Sequence, residues 1–151
     1  MPKFSSMAKL FSLVLLCSVA VNLFAPAMLP SIGAQESASD KKITIVWTSA
    51  DPDVAHRMVL MYGHAAKKAG WFNEVRLIVW GPSARLLAGD KDLQKKLAAM
   101  KADGVILQAC IVCADSYGVT ETLRDFGIEV KPMGAPLSEL ILDPSVHVVT
   151  F

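Results

Sequence analysis

The segment Gly104-Val105-Ile106-Leu107-Gln108-Ala109-Cys110 constrains the fold more than any other in the sequence. Gly104 opens a run of apolar and β-branched residues, and so continuous a run reads as a strand buried on both faces. Such strands belong to parallel sheets whose faces are covered by helices. The run ends at Cys110, and the following turn carries Cys113. A cysteine at the carboxyl end of a buried strand, where a helix begins, lies in the crevice that open α/β sheets use for ligands. Unpaired backbone N–H groups and the positive end of the helix dipole favour its thiolate there. Cys110 is therefore read as the reactive centre, with Cys113 as its partner.

The rest of the chain alternates strand and helix around this segment. Ile43-Thr44-Ile45-Val46-Trp47 is a short β-branched strand. Asp51-Pro52-Asp53 then starts a helix, with a capping carboxylate followed by proline in the first turn. Val54, Met58, Met61, Tyr62, Ala65 and Ala69 recur at three- and four-residue spacing and predict its buried stripe, ended by Gly70. That stripe leaves His56 and His64 on the solvated side. A second strand over Val75–Trp80 is broken by Gly81-Pro82-Ser83, and Ala84–Leu87 predicts a short helical turn. Asp90 caps a full helix with Leu93, Leu97 and Met100 inward and Lys95, Lys96 and Lys101 outward. Past Cys110, short helices are expected over Ile111–Tyr117 and Thr120–Phe126, then a strand at Ile128–Lys131. A helix over Pro136–Leu142 and a last strand at Val146–Thr150 close the pattern. The whole predicts an α/β fold with a mostly parallel five-stranded sheet and helices on both faces.

The first thirty residues have a different character. Lys3 and Lys9 precede an apolar core from Leu10 to Val21, and small residues follow at Ala25-Pro26-Ala27 and Ser31-Ile32-Gly33-Ala34. This reads as an export signal over residues 1–34, or an N-terminal anchor if uncleaved, in which case a membrane is a partner. Residues 35–41 form a polar linker, and residues 42–151 form one domain. A periplasmic or otherwise exported location follows. The net charge of +1, with no basic block or stripe, argues against a nucleic-acid surface.

Removal of the signal takes Cys17 with it and leaves Cys110 and Cys113. A bridge between residues three apart closes too small a loop to stabilise the fold much through chain entropy, so chemistry explains the pair better than stapling. Zinc is disfavoured, because His56 and His64 are eight residues apart and supply no recognisable second ligand pair. No metal or cofactor is expected. Resemblance to thioredoxin stops at the Cys-x-x-Cys spacing, where Ile111-Val112 replaces a Gly-Pro type of spacer. Ser49, Asp51, Ser83 and Gly134 fall in the loops at the strand ends and are expected to line the cysteine site, with helix capping and turn formation as their plainer roles. Trp47 and Trp80 end two strands and are candidates to wall it.

Gly104-Val105-Ile106-Leu107-Gln108-Ala109-Cys110, followed by Gly118-Val119 eight residues after the cysteine, resembles the DsrE/TusD-like sulfur-relay family. The closing Val146-His147-Val148-Val149-Thr150-Phe151 is similar to that family's terminal strand. The resemblance spans about residues 42–151 and implies a three-layer α/β/α fold in a homo-oligomer such as a trimer or hexamer. It also implies that Cys110 accepts a sulfane sulfur as a persulfide and passes it between donor and acceptor proteins. Cys113 has no counterpart in the TusD-like branch, and the relay branches are cytoplasmic, so both it and the export signal depart from the pattern. The function expected is sulfane-sulfur transfer or thiol redox chemistry at Cys110. The alternatives are a non-catalytic binding or assembly module on the same fold and a periplasmic dithiol–disulfide protein.

Overall fold

Residues 40–151 are the ones described in a computed structural model of the chain. The expected signal or anchor (1–34) and residues 35–39 of the linker lie outside them. The strands are β1 (Lys42–Trp47), β2 (Glu74–Val79), β3 (Ile106–Cys110), β4 (Glu129–Lys131) and β5 (Val146–Thr150). They form one five-stranded sheet in the order β4-β3-β2-β1-β5, parallel at every pairing. Helix α1 runs through Pro52–Val54, a π-helical turn at Ala55–Val59, and Leu60–Lys68. Then come α2 (Ser83–Gly89), α3 (Lys91–Ala102), α4 (Ile111–Ser116), α5 (Thr120–Asp125) and α6 (Gly134–Leu142). The three-layer α/β/α arrangement is the expected one, and the sheet is wholly rather than mostly parallel. No helix among the described residues is long and apolar enough to cross a membrane.

Connection handedness decides what covers each face. Parallel crossovers are right-handed, because a twisted strand feeding a right-handed helix packs back onto its sheet only that way. From β1 to β4 the chain steps along the sheet in one direction, which places α1 to α5 on a single face. From β4 to β5 it returns past three strands the opposite way, so the same handedness puts α6 on the other face. The first face carries the main core. Ile45, Trp47, Leu77, Val79 and Leu107 pack there against Val59, Leu87, Leu93, Leu97, Met100 and Leu123. On the second face Ile78, Cys110 and Met133 make a smaller cluster with Leu137 and Leu140 of α6.

Helix α3 follows its sequence closely. Asp90 Oδ1 accepts from the backbone N–H groups of Asp92 (2.9 Å) and Leu93 (3.0 Å), and Leu93, Leu97 and Met100 are buried. Helix α1 does not. Asp51 caps it as expected, yet the buried residues are Ala55, Val59, Leu60, Gly63 and Ala66, while Met58 and Met61 are exposed. One reason is the π turn, whose extra residue rotates everything after it out of a strict 3.6-residue phase. The other is close approach. A Cβ on Gly63 would lie 3.0 Å from Ile45 Cδ1 and 3.2 Å from Met100 Cε, so small residues face the sheet and the large ones turn outward.

Candidate functional site

The site begins where β3 and β4 part. The helix after β3 lies on the first face and the helix after β4 on the second, so the chain diverges beyond the carboxyl ends of these neighbours. Such a divergence opens the crevice used for ligands in open parallel sheets. Cys110 is the last residue of β3, in register with Lys131 at the end of β4. Cys110 is also the N-cap of α4, with extended backbone angles of φ −74° and ψ 115°. Cys113 then occupies N3. N-cap and N3 lie within one turn of each other, and the two thiols are close enough to hydrogen-bond.

The two thiols have different surroundings. Cys110 is 5% exposed, in the cluster formed by Ile78, Met133, Trp80, Leu137 and Leu140. The open mouth expected for it is thus largely roofed by α6, which the handedness of the β4–β5 connection carries across this face. Cys113 packs against the same cluster but stays partly exposed, and both are free thiols. Burial pushes the Cys113 thiol up from its ordinary range. The Gly81 backbone N–H, directed at its sulfur, pulls the other way, and the neighbouring Cys110 thiol adds to the upward shift. Gly81 sits in the turn after β2 at φ 66°, a conformation glycine adopts without strain.

The expected lining residues make structural bonds at the strand ends. Ser49 Oγ accepts from the Asp51 N–H (3.1 Å), and Asp51 Oδ1 accepts from the N–H groups of Asp53 (2.7 Å) and Val54 (3.2 Å). Ser83 is fully buried; its hydroxyl donates to the Trp47 carbonyl (2.6 Å) and accepts from the Trp80 N–H (3.1 Å), tying β1 to β2. Gly134 opens α6, and its carbonyl accepts from Ser138 Oγ (3.0 Å). Of the two tryptophans, Trp80 packs in the Cys110 cluster while Trp47 is sealed in the first-face core.

Sequence reasoning read Gly81 only as a strand breaker, and passed over Met133 and a polar chain across the second face. Arg76 Nη2 donates to Glu74 (2.8 Å) and Nη1 to Gln108 Oε1 (2.8 Å), while Gln108 Nε2 donates to Glu129 (2.6 Å) and Lys131 Nζ completes the run to Glu129 (2.8 Å). Gln108 is only 4% exposed, and its place inside an otherwise apolar strand was the available signal. Lys131 and Gln108 hold Glu129 below the usual carboxylate range. A cleft of about 280 Å³ adjoins Arg76, Gln108, Lys131, Glu139 and Leu140. On the first-face side, a groove of about 720 Å³ between α1 and α3 contains His56 and His64. They are engaged with protein groups, His64 Nε2 with Asp103 at 2.6 Å and His56 Nδ1 with Lys96 Nζ at 2.9 Å. Among the described residues no three His, Cys, Asp or Glu side chains converge to hold a metal.

The fold and this strand-end cysteine pair define a three-layer parallel α/β protein with its thiols at the sheet's carboxyl edge. Within that class the chain belongs to the DsrE/DsrF-like family, whose profile matches residues 41–151. It is similar to a conserved protein of unknown function, BT1422, from Bacteroides thetaiotaomicron, at 31% identity and a TM-score of 0.71 over 74% of this chain and 96% of that one. The ychN protein of E. coli shares the fold at 22% identity and a TM-score of 0.59, over 74% of this chain and 99% of its own. No curated protein matches the chain.

Proposed function

We propose that the protein is an exported carrier of sulfane sulfur, working through the Cys110–Cys113 pair. The observation that carries this reading is the placement of both thiols where β3 and β4 diverge, in a chain of the DsrE/DsrF-like family. A persulfide carrier needs a thiol within reach of its donor and a surround that keeps water and oxidants from the charged sulfur. Partial exposure of Cys113 supports the first requirement, and the apolar cluster about Cys110 supports the second. The N-terminal segment supports export, and homo-oligomeric assembly as a trimer or hexamer is part of the proposal, as is a protein donor or acceptor of sulfur.

Treating the reduced chain with glutathione persulfide and weighing the peptide that holds both cysteines tests this. Gain of one sulfur atom, absent from a Cys110→Ser/Cys113→Ser double variant, is the expected result. A Cys110–Cys113 disulfide without added sulfur would transfer the assignment to dithiol–disulfide chemistry. Two unmodified thiols would leave a binding or assembly module.

A further inference from the structure

We propose that Cys113 is the outer thiol that takes sulfur first and that Cys110 is the inner thiol that stores it. This rests on the sulfane-sulfur reading above and adds the order of events. The family motif falls on Cys110, yet Cys110 is the less accessible of the two, at 5% exposed beneath Met133, Leu137 and Leu140. Attack on a sulfane sulfur requires the donor to approach in line with the breaking S–S bond, and the packing over Cys110 narrows that approach. Cys113 is partly exposed on the adjoining turn; burial pushes its thiol up, the Gly81 N–H offsets part of that rise, and its advantage over Cys110 is access. The two thiols interact directly within one apolar cluster, so transfer between them needs no large motion of the backbone.

The chemistry balances without an oxidant. Cys113 thiolate attacks the outer sulfur of a persulfide R–S–SH; a new S–S bond forms, and the electron pair of the old one leaves on R–S⁻. Cys110 then attacks the outer sulfur of the Cys113 persulfide. That gives Cys110–S–SH, and the proton released by Cys110 ends on Cys113. Attack on the inner sulfur instead would expel HS⁻ and close a Cys110–Cys113 disulfide. The apolar roof protects the first product by keeping further oxidant from the stored sulfur.

The test uses the folded, reduced chain with glutathione persulfide as donor, timed alkylation quenches and peptide mass. In the unmodified sequence the added sulfur is expected on Cys113 first and on Cys110 later. Cys113→Ser should slow loading of Cys110 by about tenfold or more, whereas Cys110→Ala should still load Cys113 and retain the sulfur there. Unchanged loading of Cys110 in Cys113→Ser overturns the order while sparing the carrier function. Loading of neither thiol overturns both. Iodoacetamide supplies a readout independent of sulfur transfer, because it should alkylate Cys113 at least about tenfold faster than Cys110. Equal alkylation rates also overturn the proposal.

Discussion

The two faces of the sheet come from the same strands, yet they are built on different principles. The first face presents Ile43, Ile45, Trp47, Leu77, Val79 and Leu107 to five helices, and its contacts are apolar nearly throughout. The second presents Arg76, Ile78, Gln108 and Cys110, crossed among the described residues by α6 alone, a helix with no buried residue of its own. Hydrophobic burial, non-directional and proportional to area, holds the first. Directional bonds in a partly wet setting hold much of the second, and these are worth less per interaction and more per error. The division places the main core on one side of the sheet and the two thiols on the other, so substitutions around the thiols need not dismantle that core.

The largest effect that would break this contrast is a cavity experiment. Leu97→Ala on the first face should cost about 2–5 kcal/mol, because the helices and sheet around it cannot collapse fully into the void. The same truncation at half-buried Leu140 should cost less than half as much, since solvent already reaches that side chain. Denaturant titration of both variants decides it. Equal losses would mean that α6 is as integral to the fold as α3.

The same contrast explains what was legible beforehand. Element order, the Asp51 and Asp90 caps and the inward stripe of α3 could all be read, because each depends on local spacing. The stripe of α1 could not, because it is set by a π turn and by the close approach of Gly63 to Ile45. Cys110 was placed correctly at a strand end and helix start, but its roof was not foreseen. That roof depends on strand order: only once β5 is known to lie beyond β1 does handedness send α6 across the second face. Gln108 carried a signal that a strand-by-strand reading discounts, a polar side chain surrounded by apolar neighbours. Its partners Arg76 and Glu129 are far away in sequence, and only the register of β2, β3 and β4 joins them.

An intermediate effect should come from that register. Arg76→Met deprives Gln108 and Glu74 of their donor, and with Gln108 buried the loss should be about 1–3 kcal/mol. Adding Gln108→Leu to Arg76→Met should recover part of it, since two apolar groups of similar shape leave fewer buried polar atoms without partners. A double variant less stable than Arg76→Met alone would show that the second face depends on its hydrogen bonds more deeply than this comparison allows.

The smallest effect concerns acid. Glu129 is held below its ordinary value of 4.5, first by the bond from Lys131 and then by the bond from Gln108. A carboxylate whose folded value is depressed contributes stability that is fully present above the unfolded value and is lost as pH falls through the folded one. Unfolding midpoints measured between about pH 6 and pH 3 should therefore decline, and Glu129→Gln should flatten part of that decline. Only part is expected, because Glu129 is exposed and screened, and because Asp103 beside His64 and Asp143 beside Ser145 are depressed in the same sense. Asp103→Asn is the matching control, a carboxylate at the far end of α3 with no link to the second-face chain. If Glu129→Gln leaves the slope unchanged while Asp103→Asn flattens it, the polar chain contributes nothing to acid sensitivity. The second face would then differ from the first only in how thinly it is covered.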